Sequence, residues 1–216
     1  MTAHDTPHRP MRRDAVRNQQ LVIDAARDVL SEVGTDASME LIASRAGVGV
    51  GTVYRRFPNK EALVDEIAGL MLSELVEEGR RALALGDGTG LEVFMRAIGH
   101  SLARHRGCAD KLIGHSKTGS VEELRDLAAE LLDQARQSGR VGPVIELGDV
   151  MTALWGMRGI VETSGGTAPD AWERYLDIHL AGFRAPDLAS ERPAVTRAQL
   201  SEISHNKTSA AAAERR

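Results

Sequence analysis

The chain has few aromatic residues and a single cysteine, and each shortage excludes a class of protein. Only seven of the 216 residues are Phe, Tyr or Trp, which argues against a β-sandwich and favours helices packed through aliphatic side chains. The lone Cys108 cannot form an internal disulfide and suits a reducing compartment. No apolar run approaches the roughly eighteen residues of a membrane span, and the first residues lack the apolar core of a signal peptide. We therefore expect a cytoplasmic, helical protein without a membrane partner.

The net charge of −4 hides an uneven distribution of charge along the chain. Residues 1–60 carry nine Arg and Lys against seven Asp and Glu, a balance of +2, whereas the remainder carries 18 against 24, a balance of −6. Alone, this difference is as well explained by chance as by function. It becomes informative only beside a nucleic-acid-binding motif in the same residues. Such a mildly basic part would depend on a few well-placed contacts rather than a strong nonspecific field.

The clearest local pattern lies in residues 38–57, where two short apolar stripes at helical spacing flank the turn Gly47-Val48-Gly49. The stripes comprise Met39, Ile42, Ala43 and Ala46, then Val50, Val53, Tyr54 and Phe57. Two short amphipathic helices across a glycine turn predict a helix-turn-helix. Small residues let a backbone approach DNA closely, and Thr and Arg donate hydrogen bonds to bases or phosphates. The second helix is expected to expose such residues: Gly51, Thr52, Arg55 and Arg56.

The run AGVGVGTVYRRFPNKEAL, residues 46–63, resembles the DNA-binding signature of TetR-type transcriptional regulators. The similarity covers residues 35–66 and follows the order of small, aromatic, basic and proline positions. At positions 49 and 50 many relatives have Ser and a basic residue, so their side-chain phosphate contacts do not carry over to Gly49 and Val50. For this chain the resemblance implies DNA contacts from Ser38, Gly49, Val50, Gly51, Thr52, Tyr54, Arg55, Arg56 and Lys60.

The same resemblance implies an all-α fold with two domains. A three-helix, helix-turn-helix DNA-binding domain (residues 12–66) would be joined by a long helix to a helical effector-binding and dimerisation domain (residues 67–185). Apolar periodicity predicts helices over residues 13–33, 60–85, 91–105, 109–115, 121–137, 145–161 and 170–183. Residues 1–11 and 186–216 are polar and without a period, which predicts a disordered arm and a disordered tail.

Methionine and the large aromatics are concentrated in the second predicted domain. Most of these side chains are explained as ordinary core, but adaptable Met and flat Trp also suit the wall of an apolar cavity. The resemblance favours a ligand pocket there, with His100 or Arg158 as a polar group beside it. Its candidate wall residues are Phe94, Ile98, Leu102, Met151 and Trp155.

Metal-dependent and enzymatic functions find little support. His105, Cys108 and His115 offer nitrogen and sulfur donors, but structural zinc usually has four ligands at tighter spacings. A Cys–His nucleophile pair would need an orienting group and an oxyanion site, and neither is evident. The glycine-rich residues 86–90 lack the preceding strand and the Gly-Lys-Ser/Thr of a phosphate loop. We expect no metal, no cofactor and no catalytic residue.

Together these features predict a homodimeric repressor that binds a near-palindromic double-stranded operator and is released by a small apolar ligand. Three alternatives stay open at this point. The chain could bind DNA without any ligand, or it could activate transcription through the same fold. A helical enzyme or scaffold that does not bind DNA is the third.

Overall fold

The computed structural model describes residues 10–106, 119–185 and 190–203, and all regular structure in these ranges is helical. The all-α fold class is thereby confirmed. Eight α-helices are α1 (Pro10–Val33), α2 (Met39–Ala46), α3 (Val50–Arg56), α4 (Lys60–Leu83), α5 (Gly90–Arg104), α6 (Ser120–Gln137), α7 (Leu147–Ser164) and α8 (Ala171–Arg184). A further short helix comprises residues 197–203. The chain divides into an N-terminal unit, Met1–Ile67, and a C-terminal unit, Ala68–Arg216, and α4 contributes residues to both.

The N-terminal unit is built on α1, which packs on α2, while α2 packs on α3. Helices of eight and seven residues cannot bury enough surface to be stable alone, so they depend on this packing. Over residues 22–30, α1 buries one apolar face, whereas Val33 at its end is 48% exposed. Gly34 ends α1 with a φ of +68°, a left-handed conformation that glycine adopts without steric cost. The buried face consists of Val22, Ile23, Ala26, Val29 and Leu30.

In the C-terminal unit, α5 packs against α6, α7 and α8. Trp172 of α8 is 2% exposed and lies against Gly99 of α5. A Cβ at position 99 would stand 2.1 Å from the indole ring, so only glycine admits the tryptophan here. The large ring therefore packs directly on the α5 backbone, which explains how few aromatic residues can still fill this core.

The predicted disorder of residues 186–216 is wrong for residues 190–203, which fold back onto the C-terminal unit. Leu200 is completely buried. The backbone at Val195 comes so close to α7 that a Cβ on Gly148 would lie 2.2 Å from the Val195 carbonyl oxygen. Arg197 also forms an ion pair with Asp126 of α6. Burial of the Leu200 side chain stabilises this folded-back position.

A capping box begins the helix in this C-terminal segment. The Thr196 hydroxyl accepts a hydrogen bond from the Gln199 backbone N–H at 3.3 Å, and the Gln199 side chain accepts one from the Thr196 N–H at 2.9 Å. The pattern Thr-x-x-Gln is visible in the sequence and indicates a helix start.

Some predictions concern residues outside the described ranges. These are the arm over residues 1–9, the helix over 109–115, and the donors Cys108 and His115. Residues 10 and 11, assigned to the arm, belong to α1 instead, and proline is favoured in the first turn of a helix. Within the described ranges, no helix is both long and apolar enough to cross a membrane. The same residues hold no cluster of three or more His, Cys, Asp or Glu side chains placed to bind a metal ion.

Candidate nucleic-acid interface and apolar cavity

The turn between α2 and α3 is set by a cap at each end of α2. Ser38 adopts an extended conformation and its hydroxyl accepts a hydrogen bond from the Leu41 backbone N–H at 3.1 Å, as predicted for an N-cap. Gly47 ends α2 in the left-handed region, with a φ of +67°. Two residues later Gly49 begins α3 without a side-chain cap. The chain therefore reverses within three residues, the geometry of a helix-turn-helix.

Helix α3 has a buried face and an open face. Val53 is completely buried and Phe57 is 3% exposed, so these side chains fix the helix to the unit. On the other side, a Cβ added at Gly49 or Gly51 would meet none of the described residues within 4 Å. Packing within this part of the chain therefore does not require glycine at these two positions. Small residues on an open helix face instead leave room for a partner that approaches from outside.

Polar side chains on the open face are organised among themselves. The Arg55 guanidinium donates to the Thr52 hydroxyl at 3.1 Å, one helical turn away. The Tyr54 hydroxyl donates to the Glu40 carboxylate at 3.4 Å, and the Tyr54 side chain is 44% exposed. Partial desolvation of the ring and the nearby negative charge of Glu40 both raise the pKa of Tyr54. Its hydroxyl therefore stays protonated at neutral pH and can donate to an anion.

Arg56 lies apart from this group. Its Nε donates to the side-chain oxygen of Gln19 in α1 at 3.1 Å, and its guanidinium lies 5.7 Å from the centre of the Phe57 ring. Gln19 in turn donates to Glu66 at 3.3 Å. Of the two arginines at the end of α3, Arg56 thus has a structural role between α1 and α4. Arg55 is the one directed away from the other helices of the unit.

Lys60 approaches the start of α2 from the first turn of α4. Its Nζ donates to the carbonyl oxygen of Ala37 at 3.2 Å, beside the Ser38 cap. Asn59 caps α4, because its side-chain oxygen accepts from the Ala62 N–H at 2.8 Å. This places an ammonium group next to the exposed N-terminus of α2, where backbone N–H groups and the helix dipole favour an anion. Lys60 and Ser38 come together at this point although 21 residues separate them in the sequence.

Two charged neighbours of this surface were not singled out from the sequence. Glu40 accepts the Tyr54 hydroxyl, and Arg45 of α2 forms an ion pair with Glu32 of α1 at 2.7 Å. Glutamate in the first turn of α2 was a visible signal, because acidic residues favour helix N-termini. Arg45 and Glu32 are thirteen positions apart in the sequence, and no local pattern indicates that they pair.

The C-terminal unit contains a cavity of about 90 Å³ between α4, α5, α6 and α7. Leu72 and Leu75 of α4 and the apolar side chains of α6 complete its walls. The structure brings the predicted wall residues together, although Ile98 and Trp155 are 57 positions apart in the sequence. All five line the cavity: Phe94, Ile98, Leu102, Met151 and Trp155.

The two polar groups predicted beside the cavity lie elsewhere. His100 packs edge-on against the Trp172 ring, with ring centres 4.9 Å apart. Arg158 forms an ion pair with Glu162 one turn further along α7. Neither belongs to the described residues that line the cavity, so both of these predictions are wrong. On α5, His100 lies on a different side from the wall residues Ile98 and Leu102, whereas Arg158 continues the α7 face of Trp155 one turn beyond the cavity lining.

Arg125 of α6 is the polar residue that the sequence reasoning missed. It lines the cavity, and its side chain is only 2% exposed. Its Nη1 donates to both carboxylate oxygens of Glu122 at 2.7 Å and to the Ser201 hydroxyl at 3.3 Å. In the sequence it stands in an amphipathic helix rich in Glu and Asp, where an arginine is normally a solvated charge. Its burial depends on the C-terminal segment, which the sequence did not indicate.

Two protein-family models match this chain, one in each of its two units. Residues 22–67 match the model of bacterial regulatory proteins of the tetR family, and residues 87–185 match the C-terminal domain of SbtR-like transcriptional regulators. A TetR transcription regulatory protein from Mycobacterium vanbaalenii is 32% identical, with a TM-score of 0.59 over 82% of this chain and 100% of that one. A TetR regulator from Streptomyces coelicolor is 30% identical, with a TM-score of 0.59 over 79% and 99%.

Curated relatives match over about a third of the chain. The HTH-type transcriptional regulator YhgD of Bacillus subtilis is 36% identical over 70 residues, which are 32% of this chain and 37% of that protein. An HTH-type regulator of Staphylococcus aureus is 39% identical over 79 residues, 35% of this chain and 41% of the relative. The chain thus matches less than half the length of these relatives.

Proposed function

Because the chain belongs to the TetR family of DNA-binding transcriptional regulators, we propose that it is a homodimeric repressor of a near-palindromic operator. Members of this family are regulators, and the chain is therefore not an enzyme. One observation carries the proposal: the open face of α3, where Gly49 and Gly51 leave free space and Thr52 and Arg55 are oriented together. We propose that the protein acts in the cytoplasm, where it would bind such an operator.

Each proposed DNA contact has a physical basis. Thr52 and Arg55 reach base edges in the major groove, since hydroxyl and guanidinium groups donate to the acceptors exposed there. Gly49, Val50 and Gly51 let the start of α3 approach the duplex closely. Tyr54 donates to a backbone phosphate after turning its hydroxyl from Glu40. Ser38 and Lys60 bind a second phosphate at the N-terminus of α2.

Arg56 is the weakest member of the proposed DNA-binding set. Its bond to Gln19 and its position over Phe57 account for its side chain within the subunit. Contact with a flanking phosphate would require it to leave Gln19. We therefore expect its removal to weaken DNA binding less than removal of Arg55.

For the dimer we propose a four-helix interface formed by α7 and α8 of both subunits. The outer face of these helices offers an exposed apolar side chain, Ile178, at 58% exposure. It also offers two glycines, Gly159 and Gly182, where an added Cβ would meet no atom of the chain within 4 Å. A dimer of this kind would place two α3 helices in successive major grooves, about 34–36 Å apart.

Release by a small ligand is proposed from the cavity. Its apolar walls suit an apolar effector, and it is lined by residues of α4, the helix that also supplies residues to the N-terminal unit. A ligand that binds one conformer better would shift the dimer toward a different separation of its α3 helices. Operator affinity would then fall by the difference in ligand affinity between the two states.

A genome-wide map of bound sites tests the proposal. We expect a shared motif made of two inverted half-sites whose centres are about one helical turn of DNA apart. A repressor is supported if the bound sites overlap promoters and if transcripts of the adjacent genes rise when this protein is deleted. Falling transcripts would identify an activator of the same fold. A map with no shared motif would contradict sequence-specific binding.

The dimer has a separate test. Ile178→Glu should convert the dimer into a monomer in sedimentation experiments, because a charge cannot be buried in an apolar interface without a partner. Leu85→Glu is the matched control, since Leu85 is similarly exposed at 52% and lies outside α7 and α8. A dimer that survives Ile178→Glu would place the interface on another face.

A further inference from the structure

A charged residue such as Arg125 is not expected at the wall of a cavity that is only a packing defect. Among the described residues that line it, Arg125 alone carries a charge, and the other eleven are apolar. Burying a guanidinium among apolar side chains is costly, whereas a Leu or Met of similar volume would be stable there. A buried charge at the wall of an otherwise apolar cavity is the arrangement by which binding sites orient a ligand.

The present partner of Arg125 can be exchanged. Glu122 holds the Arg125 Nη1 with both carboxylate oxygens, yet the Glu122 side chain is 51% exposed. It can turn toward solvent, where water solvates its charge. Arg125 cannot follow, since its own side chain is 2% exposed. Whatever replaces Glu122 must therefore neutralise the guanidinium inside the cavity.

We propose that the effector is an amphiphile with an apolar body and one terminal carboxylate, which pairs with Arg125 in place of Glu122. This inference rests on the ligand-responsive function proposed above. One planar carboxylate takes the place of another, so the charge-assisted hydrogen bonds that Glu122 now accepts from Arg125 Nη1 are replaced in kind. A phosphate would bring a second charge without a second cation. A neutral ligand would gain nothing from Arg125, and an amine would meet a like charge in apolar surroundings.

A matched series of probes tests the head group. Purified full-length protein is titrated by calorimetry with straight-chain carboxylates of six to twelve carbons, and with the primary alcohols and amines of the same lengths. We expect the best carboxylate to bind about tenfold or more tightly than the alcohol of equal length, because its bond to the guanidinium is charge-assisted. The amine should bind most weakly. Equal affinity for acid and alcohol would overturn the proposal.

Two variants test the exchange of partners. Arg125→Met keeps an apolar wall of similar length, and it should abolish the preference for the acid while leaving the affinity for the alcohol unchanged. Glu122→Gln removes the competing carboxylate, and it should tighten acid binding several-fold. If circular dichroism shows that Arg125→Met does not fold, Glu122→Gln still tests whether a ligand carboxylate replaces Glu122. Unchanged or weaker acid binding by Glu122→Gln would contradict the exchange.

Ser201→Ala separates ligand recognition from a purely structural role. It removes the Ser201 hydroxyl to which Arg125 donates in the C-terminal segment, and it leaves the guanidinium in place. If Arg125 only holds that segment in position, Ser201→Ala should lose the preference for the acid as Arg125→Met does. We expect it instead to retain the preference for the acid. Operator binding measured in the same preparations tests the DNA-binding function independently, so failure of the carboxylate proposal is distinguishable from failure of that function.

Discussion

The two units of the chain differ in how their functional residues are distributed. On the proposed DNA surface, every contact comes from residues 38–60, a single short stretch organised by the caps of α2, α3 and α4. The cavity instead collects side chains from Leu72 to Trp155 on four helices. A surface site made from one continuous segment is visible in local sequence, whereas an interior site depends on how distant helices pack.

The units also differ in what a substitution should change. On α3, Gly51 and Tyr54 lie on an open face, so replacements there should alter binding without loosening the core. In the C-terminal unit, the residues that shape the cavity are also core residues, so stability and ligand binding are expected to change together. The experiments below test this contrast.

The largest effect should come from Leu200→Ala in the C-terminal segment. Leu200 is completely buried, and truncation of such a side chain typically costs about 2–5 kcal/mol of unfolding free energy. Denaturant unfolding followed by circular dichroism measures the loss. Glu202→Ala, an exposed neighbour in the same short helix, is the control and should change stability by less than about 0.5 kcal/mol. Equal effects of the two variants would show that the segment does not stabilise the unit.

Arg55→Ala should weaken specific operator binding by about 1–3 kcal/mol, the range expected for loss of a base contact. Gel-shift titration measures the change. Arg81→Ala is the charge-matched control, because Arg81 is an exposed arginine of the C-terminal unit paired with Glu78. Arg56→Ala should fall between them. If Arg55→Ala binds like Arg81→Ala, Arg55 is only a surface charge.

Gly51→Ala should change folding and DNA binding in opposite directions. Within a helix, alanine is favoured over glycine by about 0.5–1 kcal/mol, and the added Cβ meets nothing inside the chain. The variant should therefore unfold at a higher denaturant concentration yet bind the operator less tightly, because the methyl group intrudes on the close approach to DNA. Gly69→Ala in α4 has the same free space and should gain stability only. Undiminished DNA binding by Gly51→Ala would mean that the duplex does not contact position 51.

The smallest effect concerns pH and the Glu32–Arg45 pair. The hydrogen bond from Arg45 lowers the pKa of Glu32, so the folded state binds this proton less readily than the unfolded state. The pair therefore stabilises the N-terminal unit above the ordinary glutamate pKa, and this contribution is lost as the pH falls through the lowered value. Glu32→Gln should be slightly less stable than the parent at pH 7 and equal to it at a pH below the lowered pKa of Glu32. A difference that persists at the lower pH would contradict this.

The sequence was sufficient for those parts of the fold that depend on local patterns. Ser38 and Asn59 are caps and Gly34 ends α1, and residue type alone indicates these roles because each acts within one helical turn. The walls of the cavity were predicted with the help of the family resemblance, since spacing alone does not distinguish a wall from ordinary core.

What the sequence did not show involves contacts between distant residues. Arg125 looks like any solvated arginine of an acidic helix, and its burial becomes visible only when residues 190–203 are placed beside it. The bond from Arg56 to Gln19 spans 37 residues and has no local signature. His100 was wrong for the same reason, because it packs against Trp172 of α8 and not toward the cavity.

The most direct test of the account compares the parent protein with a double variant, Thr52→Ala with Arg55→Ala, on operator duplexes selected from a random pool. The account predicts that the double variant keeps its helical content and its self-association but loses preference for the selected sequence over scrambled DNA. A double variant that still distinguishes the two duplexes as well as the parent does would contradict it, because the open face of α3 would then not read the sequence.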